Sequence, residues 1–147
     1  MPQPRERADV AFFSRIETIE RLAALRRERA LGEGLSAAGL AVLERLALAP
    51  APPSPLQLAA ALRLGKPAMT YTLQRLEARR LVSIAADPSD GRMKRVAITE
   101  AGLAARRTAL AAIRPPMEAV RAAFAADEFA AALPFLDRLA AWLAANP

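Results

Sequence analysis

In this 147-residue chain the apolar residues recur every three or four positions almost throughout, and the rhythm breaks once. Between Val82 and Ile98 it becomes a strict alternation. Val82, Ile84 and Ala86 are spaced by Ser83 and Ala85, and Val96 and Ile98 by Ala97. A period of 3.6 buries one face of a helix and a period of 2 buries one face of a strand. Asp87-Pro-Ser-Asp-Gly-Arg92 separates the two alternating runs, and Asp-Gly is a strong hairpin signal. The chain is therefore expected to be mainly α with one small β-hairpin.

The helices on either side can be placed from their start and stop signals. Residues 5–31 read as one long helix, with Val10, Phe13, Ile16 and Ile19/Leu22 on one face and Gly32 and Gly34 ending it. Ser36 caps a second helix that runs to about Leu48 and buries Leu40, Leu43 and Leu46. The proline-rich stretch 49–55 is a rigid loop. Ser54-Pro55-Leu56-Gln57 then combines a capping serine, a proline at the first helical position and a glutamine three residues after the cap. That helix buries Leu58 and Leu62 and reaches about Leu64, where Gly65 interrupts it. Lys66-Pro67 opens another, to about Arg80, with Met69, Leu73 and Leu76 inward. Two short helices joined by a glycine-containing turn and followed by a hairpin make a winged helix-turn-helix. Thr99 caps a long helix to about Phe124, bent at Pro115-Pro116. Asp127 caps a last one to Ala145, where Pro134 marks a kink or a division into two pieces.

The charge agrees with this division. The net charge is +6, and residues 36–99 carry nine cations against four anions, which leaves only +1 for the rest. A basic middle in a nearly neutral frame is the footprint of a segment that binds a polyanion, although an arginine-rich chain with solvated faces would give the same count. The chain has no cysteine and no histidine. Thiol redox sensing, His- or Cys-ligated metal centres, and Ser-His or Cys-His nucleophiles are thereby excluded. No glycine-rich phosphate loop or nucleophile elbow is present, so an enzyme is not expected, nor is a bound cofactor or metal. The N-terminus lacks an apolar leader and no run suits a bilayer, which makes a soluble, cytoplasmic protein the expectation.

The stretch from Lys66 to Gly102 resembles the MarR (multiple antibiotic resistance regulator) family. The likeness rests on Asp87-x-x-Asp90-x-Arg92-x-x-x-Val96-x-Ile98-Thr99-Glu100-x-Gly102. It also rests on the preceding Lys66-Pro67-Ala68-Met69-Thr70, Leu73, Leu76, Glu77 and Leu81-Val82. The resemblance implies a homodimeric transcriptional regulator, a repressor by expectation, that reads a pseudo-palindromic site on double-stranded DNA. Residues 1–34 and 100–147 would form the dimerisation frame and residues 35–99 the DNA-binding domain. It also implies a small effector of the aromatic-acid kind, to which no residue is assigned.

Chemistry supports the same DNA-binding set. On the helix these are Lys66, Pro67, Ala68, Thr70, Tyr71, Gln74 and Arg75; on the wing they are Asp90, Arg92, Lys94 and Arg95. A helix fits the major groove, where Gln suits adenine, Arg suits guanine, and Thr or Tyr suits phosphate or the thymine methyl. Lys66, at a helix start, suits a phosphate. Pro67 and Ala68 suit helix initiation and close approach. Arg92 at the hairpin tip suits a narrow minor groove. Asp90 is expected to hold its guanidinium, while Lys94 and Arg95 touch the backbone. Arg75 and Arg79 can equally be solvated helix charges, and Tyr71 can pack against the hairpin instead. A winged helix that binds protein or RNA remains the alternative reading. One departure stands out: the family often has glycine before the Leu-Val that opens the hairpin, and here that residue is Arg80. A left-handed backbone at this position would cost roughly 1 kcal/mol more than with glycine.

Overall fold

The computed structural model describes residues 7–147. Six helices and one hairpin follow in the order α1 (Ala8–Leu31), α2 (Ala37–Leu48), α3 (Pro55–Leu62), α4 (Lys66–Ala78), β1 (Val82–Ala86), β2 (Lys94–Ile98), α5 (Glu100–Ala123) and α6 (Ala126–Ala145). Arg5 and Glu6, placed in the first helix by the sequence reading, lie outside the described residues. The chain divides into two compact units between Ile113 and Arg114, within α5.

In the first unit a single core joins α2, α3, α4, the hairpin and the start of α5. Leu43, Leu58, Met69 and Val96 are almost completely shielded from water. Each contributes about 2 kcal/mol of hydrophobic stabilisation on burial. Two serines fix where the inner helices begin. Ser36 Oγ accepts from the Gly39 N–H at 3.0 Å. Ser54 Oγ accepts from the Gln57 N–H at 3.2 Å while Gln57 Oε1 accepts from the Ser54 N–H at 2.9 Å, a reciprocal capping box.

Between α3 and α4 the chain turns through Arg63, which adopts a left-handed conformation (φ 51°, ψ 40°). The expected interrupter, Gly65, has φ −64° and acts as the N-cap of α4. The left-handed backbone therefore falls on an arginine, while the glycine caps a helix in a conformation open to any residue. α4 stops at Ala78. Arg80 then takes φ 60°, and among the described residues only it and Arg63 are non-glycine residues at positive φ. The left-handed turn thus occurs where the family often carries glycine.

The hairpin pairs Val82 with Ile98, Ile84 with Val96 and Ala86 with Lys94 in antiparallel register. On the other side of β2, the Val96 N–H donates to the Pro53 carbonyl at 2.9 Å, which ties the proline loop to the outer edge of the two-stranded sheet. The hairpin leads into α5 through a tight crossing. Thr99 Oγ1 donates to the Arg80 carbonyl at 2.7 Å and accepts from the Gly102 N–H at 3.0 Å. The Thr99 N–H meets the Leu81 carbonyl at 3.1 Å. A Cβ on Gly102 would lie 2.1 Å from that carbonyl oxygen, so only glycine permits this approach.

α1 carries the expected apolar stripe, yet none of its residues is buried within the chain. Ile19 is 62% exposed and Leu22 53%. In the second unit α6 is likewise without a buried residue, and Trp142 is 62% exposed. α6 begins one residue before Asp127. Its cap is made from within the helix, by the Glu128 carboxylate accepting from the Ala125 N–H at 2.9 Å. It continues through Pro134 as one helix, and α5 continues through Pro115 and Pro116. Among the described residues no helix is long and apolar enough to cross a membrane.

Candidate nucleic-acid interface

α4 separates its residues cleanly by face. Met69, Thr72, Leu73 and Leu76 point into the core. Lys66, Pro67, Ala68, Thr70, Tyr71, Gln74 and Arg75, the helical part of the sequence-derived set, are all exposed. Thr72 shows why this face is clean: its hydroxyl donates to the Ala68 carbonyl at 2.8 Å, so a polar residue can sit inward without an unmet hydrogen bond.

The wing brings further cations to the start of this helix. Lys66, Met69 and Thr70 from α4, Arg92, Met93 and Lys94 from the wing, and Ser54, Pro55, Leu56 and Ala59 from the α3 region line one groove of about 520 Å³. Three cationic side chains, Lys66, Arg92 and Lys94, thus border a single depression. Its floor is apolar and its rim positive, an arrangement suited to a phosphate backbone running between helix and wing.

The wing is organised by Asp87, which the sequence reading left without a role. One carboxylate oxygen accepts from the Ser89 N–H (2.7 Å), the Ser89 hydroxyl (2.6 Å) and the Asp90 N–H (3.2 Å). The other pairs with Nε of Arg95 across the hairpin. The Ser89 hydroxyl first, then Arg95, hold this carboxyl far below the usual carboxylate range. Arg95 also reaches Gln57 Oε1 at 3.5 Å, tying the wing to the α3 cap. Its charge is therefore partly neutralised inside the protein, and its first role here is structural.

Asp90 does something other than expected. Its Oδ1 accepts from the backbone N–H of Arg92 at 3.1 Å, so the contact shapes the turn and leaves the guanidinium to solvent. Arg92 and Lys94 remain exposed. Spacing alone could not separate these two aspartates. The register of the hairpin sets Ala85 opposite Arg95, which brings Asp87, two residues on, diagonally within reach of the guanidinium. On α4, Tyr71 lies against Arg75 rather than the hairpin: Arg75 Nη1 donates to Tyr71 Oη at 3.0 Å. Farther from the wing, Arg106 of α5 meets Glu44 of α2 at 2.5 Å, with its Nε–H directed off the line to the oxygen.

Residues 33–93 match the sequence model of the MarR family. They form a MarR-family domain. Solved structures extend the likeness to nearly the whole chain. A probable transcriptional regulator from Pseudomonas aeruginosa is 27% identical, with a TM-score of 0.78 over 90% of this chain and 99% of that one. The PcaV transcriptional regulator from Streptomyces coelicolor, in complex with its natural ligand, is 22% identical with a TM-score of 0.79, covering 94% and 97% of the two chains. The transcriptional regulator BldR from Sulfolobus solfataricus gives 22% and 0.79, covering 95% and 99%. At 22% identity the last two share the fold. No curated protein matches the sequence. In this winged helix-turn-helix, α4 is the second helix of the helix-turn-helix and the β1–β2 loop is the tip of the wing.

Proposed function

We propose that the chain is a homodimeric transcriptional regulator, a repressor, that binds double-stranded DNA with α4 in the major groove and Arg92 in the adjacent minor groove. The observation that carries this reading is the shared groove. Lys66 of α4 and the wing residues Arg92 and Lys94, 26 and 28 residues later in sequence, border one depression beside the fully exposed face of α4. Lys66 and Lys94 hold phosphates, Thr70, Gln74 and Arg75 face base edges, and Pro67 and Ala68 permit close approach. Asp90 acts on the DNA only through the shape of the turn that carries Arg92. The unburied apolar stripe of α1 supports a dimer, because a lone chain would leave it in water. A two-fold dimer presents two copies of α4 to half-sites about one helical turn apart.

An effector has a candidate seat in the first unit. Leu31, Leu35, Ala105, Thr108 and Ala109 line a cleft of about 290 Å³ together with Arg79. Apolar walls and one arginine suit an aromatic carboxylate.

The test is a titration of a selected duplex at several salt concentrations. Affinity should fall steeply with salt, by about 0.9 in log–log slope for each phosphate neutralised. Arg92→Ala should weaken binding by roughly 1–3 kcal/mol without altering the fold. A flat salt dependence would instead favour a protein partner, and unchanged affinity of the variant would remove the wing from the interface.

A further inference from the structure

Tyr71 and Arg75 stand one helical turn apart on the outer face of α4, and two contacts join them. Arg75 Nη1 donates to the Tyr71 Oη at 3.0 Å, and the guanidinium carbon lies 5.7 Å from the centre of the tyrosine ring. Neither contact serves the core. Tyr71 is 60% exposed, and the inward side of α4 is filled by Met69, Thr72, Leu73 and Leu76. Among the described residues, the other cations of this surface, Lys66 and Arg79, have no side chain holding them in a comparable way.

The chemistry of the partner matters. Arg95 is held by a carboxylate, and its charge is thereby partly cancelled. Arg75 is held by a neutral phenol and a ring face, which orient the guanidinium and leave its full charge for a ligand. The Tyr71 hydroxyl uses one of the five guanidinium N–H groups, and the remaining four include a pair able to reach two acceptors of one base edge. A free arginine must lose much of its rotamer freedom when it docks. Here much of that loss is met when the helix forms, so less is left for binding.

We propose that Tyr71 is a positioning residue for Arg75, and that the pair reads a single guanine through the N7 and O6 edge. The inference rests on the DNA-binding reading above. It adds that the contribution of Tyr71 to specificity passes through Arg75.

A double-mutant cycle on the full chain tests it. The wild-type protein first selects duplexes from a random pool. Wild type, Tyr71→Phe, Arg75→Ala and the double variant are then titrated by fluorescence anisotropy against the selected duplex and its single base-pair changes. Arg75→Ala should lose about tenfold to a hundredfold in affinity and become indifferent to one G·C pair. Tyr71→Phe keeps the ring and removes only the hydroxyl. It should lose roughly threefold to tenfold, with weaker discrimination at that same base pair. In the Arg75→Ala background it should lose nothing further. Both side chains are exposed, so circular dichroism melts of all four proteins should coincide. An equal loss from Tyr71→Phe in both backgrounds, or a loss at a different base pair, would show a direct contact and overturn the proposal. So would unchanged discrimination by Tyr71→Phe. Failure of the wild type to select any duplex would instead bring down the DNA-binding reading, and this proposal with it.

Discussion

Replacing Gly102 with alanine puts the greatest strain on the crossing between the hairpin and α5. The added Cβ would sit 2.1 Å from the Leu81 carbonyl oxygen, 2.8 Å from Ile98 Cγ1 and 3.1 Å from the Leu81 carbonyl carbon. Ordinary contact begins near 3.4 Å, so the two backbones must separate by about 1.3 Å, the difference between 3.4 and 2.1. No flexible side-chain tip can absorb this, because the obstacle is main chain. The movement also pulls on three hydrogen bonds: Thr99 N–H to Leu81 O, Thr99 Oγ1 to Arg80 O and Gly102 N–H to Thr99 Oγ1. Overpacking of this sort costs about 1–3 kcal/mol, and each hydrogen bond lost adds about 1 kcal/mol. With one of the three broken, the expected destabilisation is roughly 3 kcal/mol, equivalent to a fall in Tm of about 10 °C for a chain of this size. Urea and thermal unfolding, followed by circular dichroism at one fixed protein concentration, measure it. Gly91→Ala is the control, since a Cβ there meets nothing within 4 Å, and it should change stability by less than about 0.5 kcal/mol. A Gly102→Ala loss below about 1 kcal/mol would refute the argument, because the crossing would then be free to open.

Three other outcomes are expected. Arg80→Gly relieves about 1–2 kcal/mol of left-handed strain and restores about 0.4–1 kcal/mol of unfolded-state freedom, so urea unfolding should show a net gain of about 0.5–1 kcal/mol; a loss would mean that the Arg80 side chain stabilises the turn. Asp87 has a carboxyl pKa depressed in the folded state, first by Ser89 and then by Arg95, so its contribution is complete above the unfolded-state value near 4 and disappears as pH falls below it. The stability gap between wild type and Asp87→Asn should therefore be constant from pH 7 to about pH 5 and narrow at lower pH; a gap that widens on acidification would contradict the assignment. Ile19→Glu, at an exposed apolar position of α1, should shift the protein towards monomer in analytical ultracentrifugation, and an unchanged mass would place the dimer contact elsewhere.

The parts of this molecule legible in the sequence are those set by local rules. The Ser54 capping box, the change of period at Val82 and the outward residues of α4 each follow from neighbours within a few positions. What escaped required knowledge of register or of backbone conformation. Arg95 reads as a surface cation until the hairpin brings Asp87 beside it. The left-handed turn after α3 sits on Arg63, and nothing in its residue type announces that, whereas Gly65 nearby suggests a pivot it does not supply. The cap of α6 lies two residues before Asp127, at Ala125, because Glu128, inside the helix, supplies the capping oxygen in place of a preceding side chain. For α1 the stripe itself was legible, but a stripe cannot say whether the surface that covers it lies in the same chain.

The proline loop that lies along the wing has a consequence for life in a crowded cell. A two-stranded sheet ordinarily offers open edges to any extended chain that drifts past. On the β2 side the Val96 N–H is already taken by the Pro53 carbonyl, while Pro53 and the flanking Pro52 have no N–H to offer outward and the Ser54 N–H is held by Gln57 Oε1. Residues 52 to 54 thus present no free N–H to an approaching chain, which makes stacking of one protein on another less favourable here than at a bare edge. The exposed wing is thereby guarded, on its β2 side, against pairing edge to edge with another copy of itself.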